Sequence, residues 1–365
     1  MSQFTTGFAG AADKQGLIDL QDSVGGGYAT SEDFDHWRLD HPGGEVTVPV
    51  VRTREGSLAG AVWIFPMQIS AGEETFNVRQ VANLHVDPRY RDTFAYVALT
   101  RHLGRTLKRS TPLHFSLPSV QIFERQQESD SAAVARAPWL LKVFDSKGLA
   151  QHLAHGEGLP PIGATTLLAA LQRRTQGRST RPLSPSVSVE LVREFGDRFD
   201  AFWATARLGR SVAMIRDRAY LEWRFSGLRL KSYEMFVANI AGDMAGYLVL
   251  RKMTESPVAY VMDFLVADGP HSAAAAAALL GAAEDECRAH HICALSTSIA
   301  PASREASLIA ASGFSLNPLR HIDRFGSLWP SPLRYAVSTH DGDAISAATH
   351  RAANWYVSLA HHETL

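Results

Sequence analysis

His36-Trp37-Arg38 and Glu222-Trp223-Arg224 open two stretches of this chain that run in the same order. The first continues through an apolar run, Val46-Thr47-Val48-Pro49-Val50-Val51, a turn at Arg54-Glu55-Gly56-Ser57, and a glycine-led segment, Gly60-Ala61-Val62. The second continues through Tyr233-Glu234-Met235-Phe236-Val237-Ala238, a turn at Ala241-Gly242-Asp243, and Gly246-Tyr247-Leu248. Trp37 lies 23 positions before Gly60, and Trp223 lies 23 before Gly246. A Trp-Arg pair recurs easily by chance. A Trp-Arg pair, a strand, a turn and a glycine-led strand in one register do not. Copies 186 residues apart imply two similar domains rather than one large one.

The 365 residues leave room for two cores of ordinary size. With 45% hydrophobic and 20% charged residues, the composition is that of a globular protein. A net charge of −1 gives no overall electrostatic case for nucleic acid, and none is expected as a partner. The two cysteines, Cys287 and Cys293, are too few for a disulfide framework and read as free thiols. His290 and His291 lie between them, but the spacing fits no zinc knuckle, and no metal is expected. Residues 1–20 lack a basic region followed by an apolar core, so no secretory leader is expected. The longest apolar stretch, residues 273–283, runs into Glu284-Asp285-Glu286 and is too short for a membrane span. The cytoplasm is the expected compartment.

Along the chain, residues 1–30 read as a glycine-rich arm or irregular helix, with Gly25-Gly26-Gly27 at its end. Residues 94–108 carry Val97, Leu99, Leu103 and Leu107 near helical spacing, between strands at residues 81–86 and 113–117. Residues 154–187 hold eight glycines and prolines and read as a linker with a short helix at 164–174. Its basic cluster, residues 173–181, reads as a solvated stretch or as a contact with an anionic surface. The second copy then repeats the order. A helix at 219–225 precedes strands at 233–238, 246–250 and 258–266, a helix at 272–290, a strand at 292–298 and a helix at 302–312. Gly313-Phe314 stops that last helix in the manner of a glycine C-cap. The expected organisation is a first domain over 1–153, a linker over 154–187, a second domain over 188–335 and a helical tail over 336–365.

Leu84-His85-Val86-Asp87-Pro88-Arg89-Tyr90-Arg91-Asp92-Thr93-Phe94-Ala95 resembles the GNAT acyltransferase motif of a strand, Val-x-Pro-x-Tyr-Arg, a loop and a helix. Ala311-Ser312-Gly313-Phe314 resembles the Gly-Phe after that family's last helix. Tyr220-Leu221-Glu222-Trp223-Arg224-Phe225, with Tyr233 and Gly246-Tyr247-Leu248-Val249-Leu250-Arg251, is similar to tandem GNAT proteins found with bacterial surface-polysaccharide genes. The resemblance implies an α/β chain of two GNAT-like domains, each a mixed, mostly antiparallel sheet flanked by helices. It implies an acyltransferase that moves an acyl group from acyl-CoA or acetyl-CoA, or from an acyl carrier protein. The acceptor would be an amine or hydroxyl of a small metabolite or sugar intermediate. Residues Leu84, Val86, Arg91, Asp92, Thr93, Phe94 and Ala95 would hold the donor, whose phosphates suit backbone N–H groups at a helix start. The family loop is Arg/Gln-x-x-Gly-x-Gly/Ala. With Arg91 in its first position, Phe94 stands fourth and Tyr96 sixth, without a glycine. The second copy offers Ala267-Asp268-Gly269-Pro270-His271-Ser272, with a glycine but no arginine. A transferase using aminoacyl-tRNA, of the Fem type, and a non-catalytic binding or assembly protein are the alternatives.

Two residues are candidate catalytic groups. His85 lies in the strand before the first loop, as a base facing an acceptor or as a satisfied sheet histidine. Asp263 interrupts the apolar run Val261-Met262-Asp263-Phe264-Leu265. A carboxylate there needs a partner or a cleft, with Arg224 or Arg38 as structural partners. Arg91 reads as a phosphate ligand or a surface arginine. Trp37 and Trp223 read as core anchors, and His361-His362 as a solvated tail.

Overall fold

The computed structural model describes residues 3–24, 31–127, 132–157, 161–176, 187–226, 232–321, 328–329, 333–341, 345 and 347–361. The Gly25-Gly26-Gly27 run, residues 177–186 of the expected linker with most of its basic cluster, and His362 lie outside the described residues. In the first half of the chain the strands are β1 (Phe4–Phe8), β2 (Pro49–Thr53), β3 (Leu58–Ala71), β4 (Glu74–Val86), β5 (Leu113–Ser116), β6 (Ala132–Ala137) and β7 (Trp139–Val143). Among them run helices α1 (Lys14–Ser23), α2 (Ser31–Leu39), α3 (Ala95–Ser110), α4 (Val120–Gln127), α5 (Ser146–Glu157) and α6 (Pro161–Gln176). The second half holds β8 (Val187–Val192), β9 (Val212–Met214), β10 (Tyr233–Ile240), β11 (Asp243–Arg251), β12 (Val258–Val266), β13 (Ala294–Ser298), β14 (Ser315–Leu316), β15 (Leu333–Thr339) and β16 (Trp355–Tyr356). Its helices are α7 (Arg198–Ala206), α8 (Arg218–Ser226), α9 (Ser272–Ala289) and α10 (Arg304–Ala311).

The strands form two mixed sheets with matching orders. One runs β1-β2-β3-β4-β5-β15-β6, the other β8-β10-β11-β12-β13-β7-β14. Element by element they correspond, with α2 and α8 carrying the two Trp-Arg pairs and α3 and α9 following the fourth strand of each sheet. The repeat is therefore architectural. Its sixth strands, however, are exchanged. β7, from the first half, pairs with β13 and β14 in the second sheet. β15, from the second half, lies between β5 and β6 in the first. The sheets thus do not follow the sequence divisions expected at 153 and 188.

Three local expectations differ from the structure. Phe4–Phe8, expected in a loose arm, is an edge strand paired with β2. The 336–365 segment, expected to be helical, begins inside β15 and continues through short 3-10 turns around β16. Part of the expected linker is the full helix α6, whose Leu168 is buried and whose Thr175 hydroxyl donates to the Val143 carbonyl at 3.0 Å. Proline and glycine frequency signalled a linker there, but a buried helical face outweighs that composition.

The repeated glycines have a steric cause. A Cβ on Gly60 would lie 2.9 Å from the His85 carbonyl oxygen, and one on Gly246 would lie 2.8 Å from that of Leu265. Each glycine lets the third strand approach the fourth closely. Gly246→Ala is expected to cost about 1–3 kcal/mol through this overpacking. Urea unfolding checks it: an unchanged midpoint would mean that the strands separate freely there.

The repeated tryptophans meet each other. The Trp37 and Trp223 rings contact edge to face with centroids 4.9 Å apart. His36 Nε2 lies 2.7 Å from the Trp223 carbonyl, and the Trp223 indole N–H donates to the His36 carbonyl at 3.3 Å. α2 and α8 therefore form a reciprocal joint between the sheets. The arginines beside them tie down chain segments. Arg38 donates to the carbonyls of Ala9 and Gly10, and Arg224 donates to that of Ala360 at 2.6 Å. One apolar core runs continuously through both sheets, and a smaller one lies between α3 and the first sheet.

Candidate active site

In the first sheet β4 and β5 pair in parallel only over residues 79–81 and 114–116. Beyond Val81 the two strands part, and among the described residues β4 continues to Val86 paired with β3 alone. The parting coincides with a bulge. Ala61 faces His85 and Trp63 faces Ala82, so Asn83 and Leu84 together oppose Val62. Asn83 takes φ +48°, which asparagine tolerates better than most residues. A bulge at an open strand edge re-aims the backbone, and this one lies where β4 lacks a second neighbour.

The candidate donor-binding residues divide into two groups. Leu84, Val86 and Ala95 pack in the small core under α3, so they can offer a ligand only their main chain. Arg91 and Asp92 are exposed, and Phe94 is 76% exposed. The Phe94 ring therefore stands in solvent rather than across the loop. Thr93 shapes the turn: its hydroxyl donates to the Tyr90 carbonyl at 2.6 Å and accepts from the Ala95 N–H at 3.2 Å. Asp87 accepts from the Arg89 N–H at 2.8 Å and from its guanidinium at 2.6 Å. That bond, opposed by partial burial, holds the Asp87 carboxyl below its ordinary value. No residue from 87 to 94 takes a positive φ, so the missing glycines leave no backbone strain. The first turn of α3 lies at the end of this loop, and a helix start is a favourable place for an anion.

His85 lies opposite Ala61, on the face of β4 away from α3. It is half-buried, and its buried Nε2 has no hydrogen-bond partner among the described residues. Burial, and then the nearby Arg91 charge, lower its pKa from the ordinary 6.5. The imidazole is therefore mostly neutral at pH 7, with its Nε2 enclosed by the protein.

The second sheet repeats the opening and fills it. β12 and β13 pair over residues 258–260 and 294–296, and β12 then runs on to Val266 paired with β11, with a bulge at Met262. Residues 355–361 occupy the gap. The Tyr356 hydroxyl donates to the Phe264 carbonyl, and the Ala300 N–H donates to the Val357 carbonyl at 2.8 Å. The Ser358 hydroxyl donates to Asp263 at 2.7 Å. Asp263 also accepts from Arg216 Nε at 2.8 Å and from the Tyr247 hydroxyl at 2.7 Å. Both charged side chains of this ion pair are 0% exposed. Burial alone would raise the Asp263 carboxyl, but Arg216 and the two hydroxyls outweigh it and hold the group below its ordinary value.

This geometry corrects two expectations. The partner of Asp263 is Arg216, because Arg224 and Arg38 are turned to backbone carbonyls. His361, expected in a solvated tail, is 2% exposed, and its carbonyl accepts from Gln80 Nε2 of β4 at 3.2 Å. At the loop after β12, Arg304 pairs with Asp268 and donates to the Ala267 carbonyl at 3.3 Å. Asp268 is therefore neutralised by a neighbour. The sequence pattern marked both loops. It could not signal Asn83, Arg216 or Ser358, whose partners lie far away along the chain.

Among the described residues no group of three His, Cys, Asp or Glu side chains could hold a metal ion. Both cysteines are free and buried, and burial pushes the Cys287 thiol up to about 12. No helix among the described residues is long and apolar enough to cross a membrane.

Two mixed sheets flanked by helices, each with a parallel pair that parts before a long helix, define an α/β protein of tandem GNAT-like units. Solved structures share this fold. A GCN5-related N-acetyltransferase from Anabaena variabilis matches with a TM-score of 0.61 and 14% identity, over 92% of this chain and 73% of that one. A tandem GNAT protein from the clavulanic acid biosynthesis pathway matches with a TM-score of 0.53 and 16% identity, over 92% of this chain and 98% of that one. Saccharomyces cerevisiae N-myristoyltransferase, with bound myristoyl-CoA, matches with a TM-score of 0.59 and 11% identity, over 93% of this chain and 79% of that one. No known family profile matches the sequence, and no curated protein matches it.

Proposed function

We propose that this chain is an acyltransferase whose first unit binds a pantetheine thioester, from acyl-CoA or an acyl carrier protein. The acceptor is an amine or hydroxyl of a small metabolite or sugar intermediate. The observation that carries this reading is the contrast between the two openings. That of the first sheet has an unpaired, bulged β4 edge beside a neutral, unpartnered His85. That of the second is filled by the chain itself. The myristoyl-CoA bound by the yeast neighbour supports a thioester as donor.

In this reading the pantetheine arm lies along β4, where backbone N–H groups polarise the thioester carbonyl. The acceptor nitrogen or oxygen attacks that carbon and the C–S bond breaks. His85 takes the acceptor proton, which then neutralises the departing thiolate. Asp263 stays in its ion pair as scaffold. His85→Gln is expected to lower kcat about 10²- to 10⁴-fold while leaving donor binding in place. Because the folded His85 pKa is lowered, the acid limb of the native rate profile should lie below 6.5. A limb above that value would exclude His85 as the base. Thermal shift and calorimetry with acetyl-CoA and acetyl-pantetheine test the donor itself, and Arg91→Ala should weaken the phosphate-bearing ligand. Absence of binding by both at millimolar concentration, together with no transfer from an acylated carrier protein, would refute the acyltransferase reading.

A further inference from the structure

The solvent side of α3 carries Arg101, Arg105, Lys108 and Arg109, all exposed. α3 has no acidic residue anywhere along its 16 positions. No carboxylate pairs with any of the four among the described residues. Val97, Arg101, Arg105 and Arg109 follow at four-residue spacing and so form one stripe. At 1.5 Å per residue it extends about 18 Å. The whole chain has a net charge of −1, so this density of positive charge is local. At the end nearest the β4–β5 opening the stripe meets two apolar side chains, Val97 at 37% exposure and Phe94 at 76%. An apolar point bordered by unpaired cations is complementary to an acidic protein surface.

The loop beside that opening favours one source of the thioester over the other. Free CoA brings a nucleotide and a pyrophosphate, which need close backbone approach. Residues 87–94 contain no glycine, and the exposed Asp92 carries the wrong charge. An arm carried on a protein brings a single phosphodiester, and protein contacts supply the affinity. We infer that the exposed face of α3 docks a small acidic carrier protein, which presents its acyl-pantetheine arm to the opening beside Phe94. The destination of the arm rests on the acyltransferase reading, whereas docking can be measured without turnover.

The test is fluorescence anisotropy of a labelled acidic acyl carrier protein, in its pantetheinylated form, titrated with the full chain. At low salt the native chain binds, and the affinity falls steeply as salt rises. Arg101→Glu with Arg105→Glu weakens binding at least tenfold at an unchanged thermal midpoint. Arg101→Lys with Arg105→Lys retains most of it. The same charge reversal raises KM for the acylated carrier protein and leaves transfer from acetyl-pantetheine within about twofold. No carrier binding at low salt would overturn the inference. So would equal binding by the reversed variant, or tighter binding of an RNA oligonucleotide or an anionic vesicle at the same stripe. Docking without transfer from any thioester would refute the acyltransferase reading and leave the docking surface standing.

Discussion

A chain severed between Gln176 and Val187 is expected to yield two fragments that are unfolded apart and fold only when combined. The exchanged strands are the reason. The first fragment lacks β15, which joins β5 over residues 113–116 and β6 over residues 132–137. It also carries β7, whose Trp139, Leu141 and Val143 are at most 1% exposed within the second sheet. Burying each of these side chains stabilises by about 1.5–3 kcal/mol. Their loss is comparable with the whole net stability of a domain, about 5–15 kcal/mol. Co-expressed fragments should copurify at the size of the intact chain and recover its circular dichroism. A dispersed amide NMR spectrum from residues 1–176 alone would refute this expectation.

Removing Arg216 should be nearly as severe. Arg216→Met leaves the Asp263 carboxylate buried without its cation, a loss of about 3–5 kcal/mol. The damage should reach residues 355–361, which Asp263 anchors through Ser358, and it should raise protease sensitivity at the C-terminus. Replacing both partners, as Arg216→Met with Asp263→Leu, should recover part of the loss, because two apolar groups need no charge partner. The pH dependence has a definite sign. The folded Asp263 pKa lies below the ordinary 3.8. Its ionised form therefore adds stability that is present above the unfolded value and is lost as pH falls through the folded one. The stability gap between the native chain and Asp263→Asn, measured by denaturant at fixed temperature, should hold at neutral pH and narrow below 3.8. A gap independent of pH down to the acid unfolding limit would show that charge contributes nothing there.

Much of the architecture was legible because it is local. The expected strand at 258–266 matches Val258–Val266, and the expected helices at 94–108 and 272–290 match Ala95–Ser110 and Ser272–Ala289 to within two residues. Periodicity carries such elements over a few turns. Phe4–Phe8 carries little apolar signal because only Phe4 of this edge strand is buried. The expected tail begins at residue 336, inside the strand Leu333–Thr339, because nothing in that neighbourhood points to β5, more than 200 positions earlier. Of the candidate site, the sequence singles out His85 and the loop to Ala95. It could not show that Leu84, Val86 and Ala95 turn their side chains into a core, since the bulge at Asn83 shifts the alternation there.

By itself the sequence determined that there are two copies of one unit. The Trp-Arg pairs and the glycines at matched spacing were enough, because a Cβ at Gly60 or Gly246 would strike the next strand in either copy. Only the tertiary structure decided how the copies are joined and that residues 355–361 fill the opening of the second sheet. The exchange of β7 and β15, the meeting of Trp37 with Trp223 and the seating of Ser358 on Asp263 all join positions far apart in the chain. Pairing over such distances is chosen by burial and hydrogen-bond partners in the folded state, and leaves no period in the sequence.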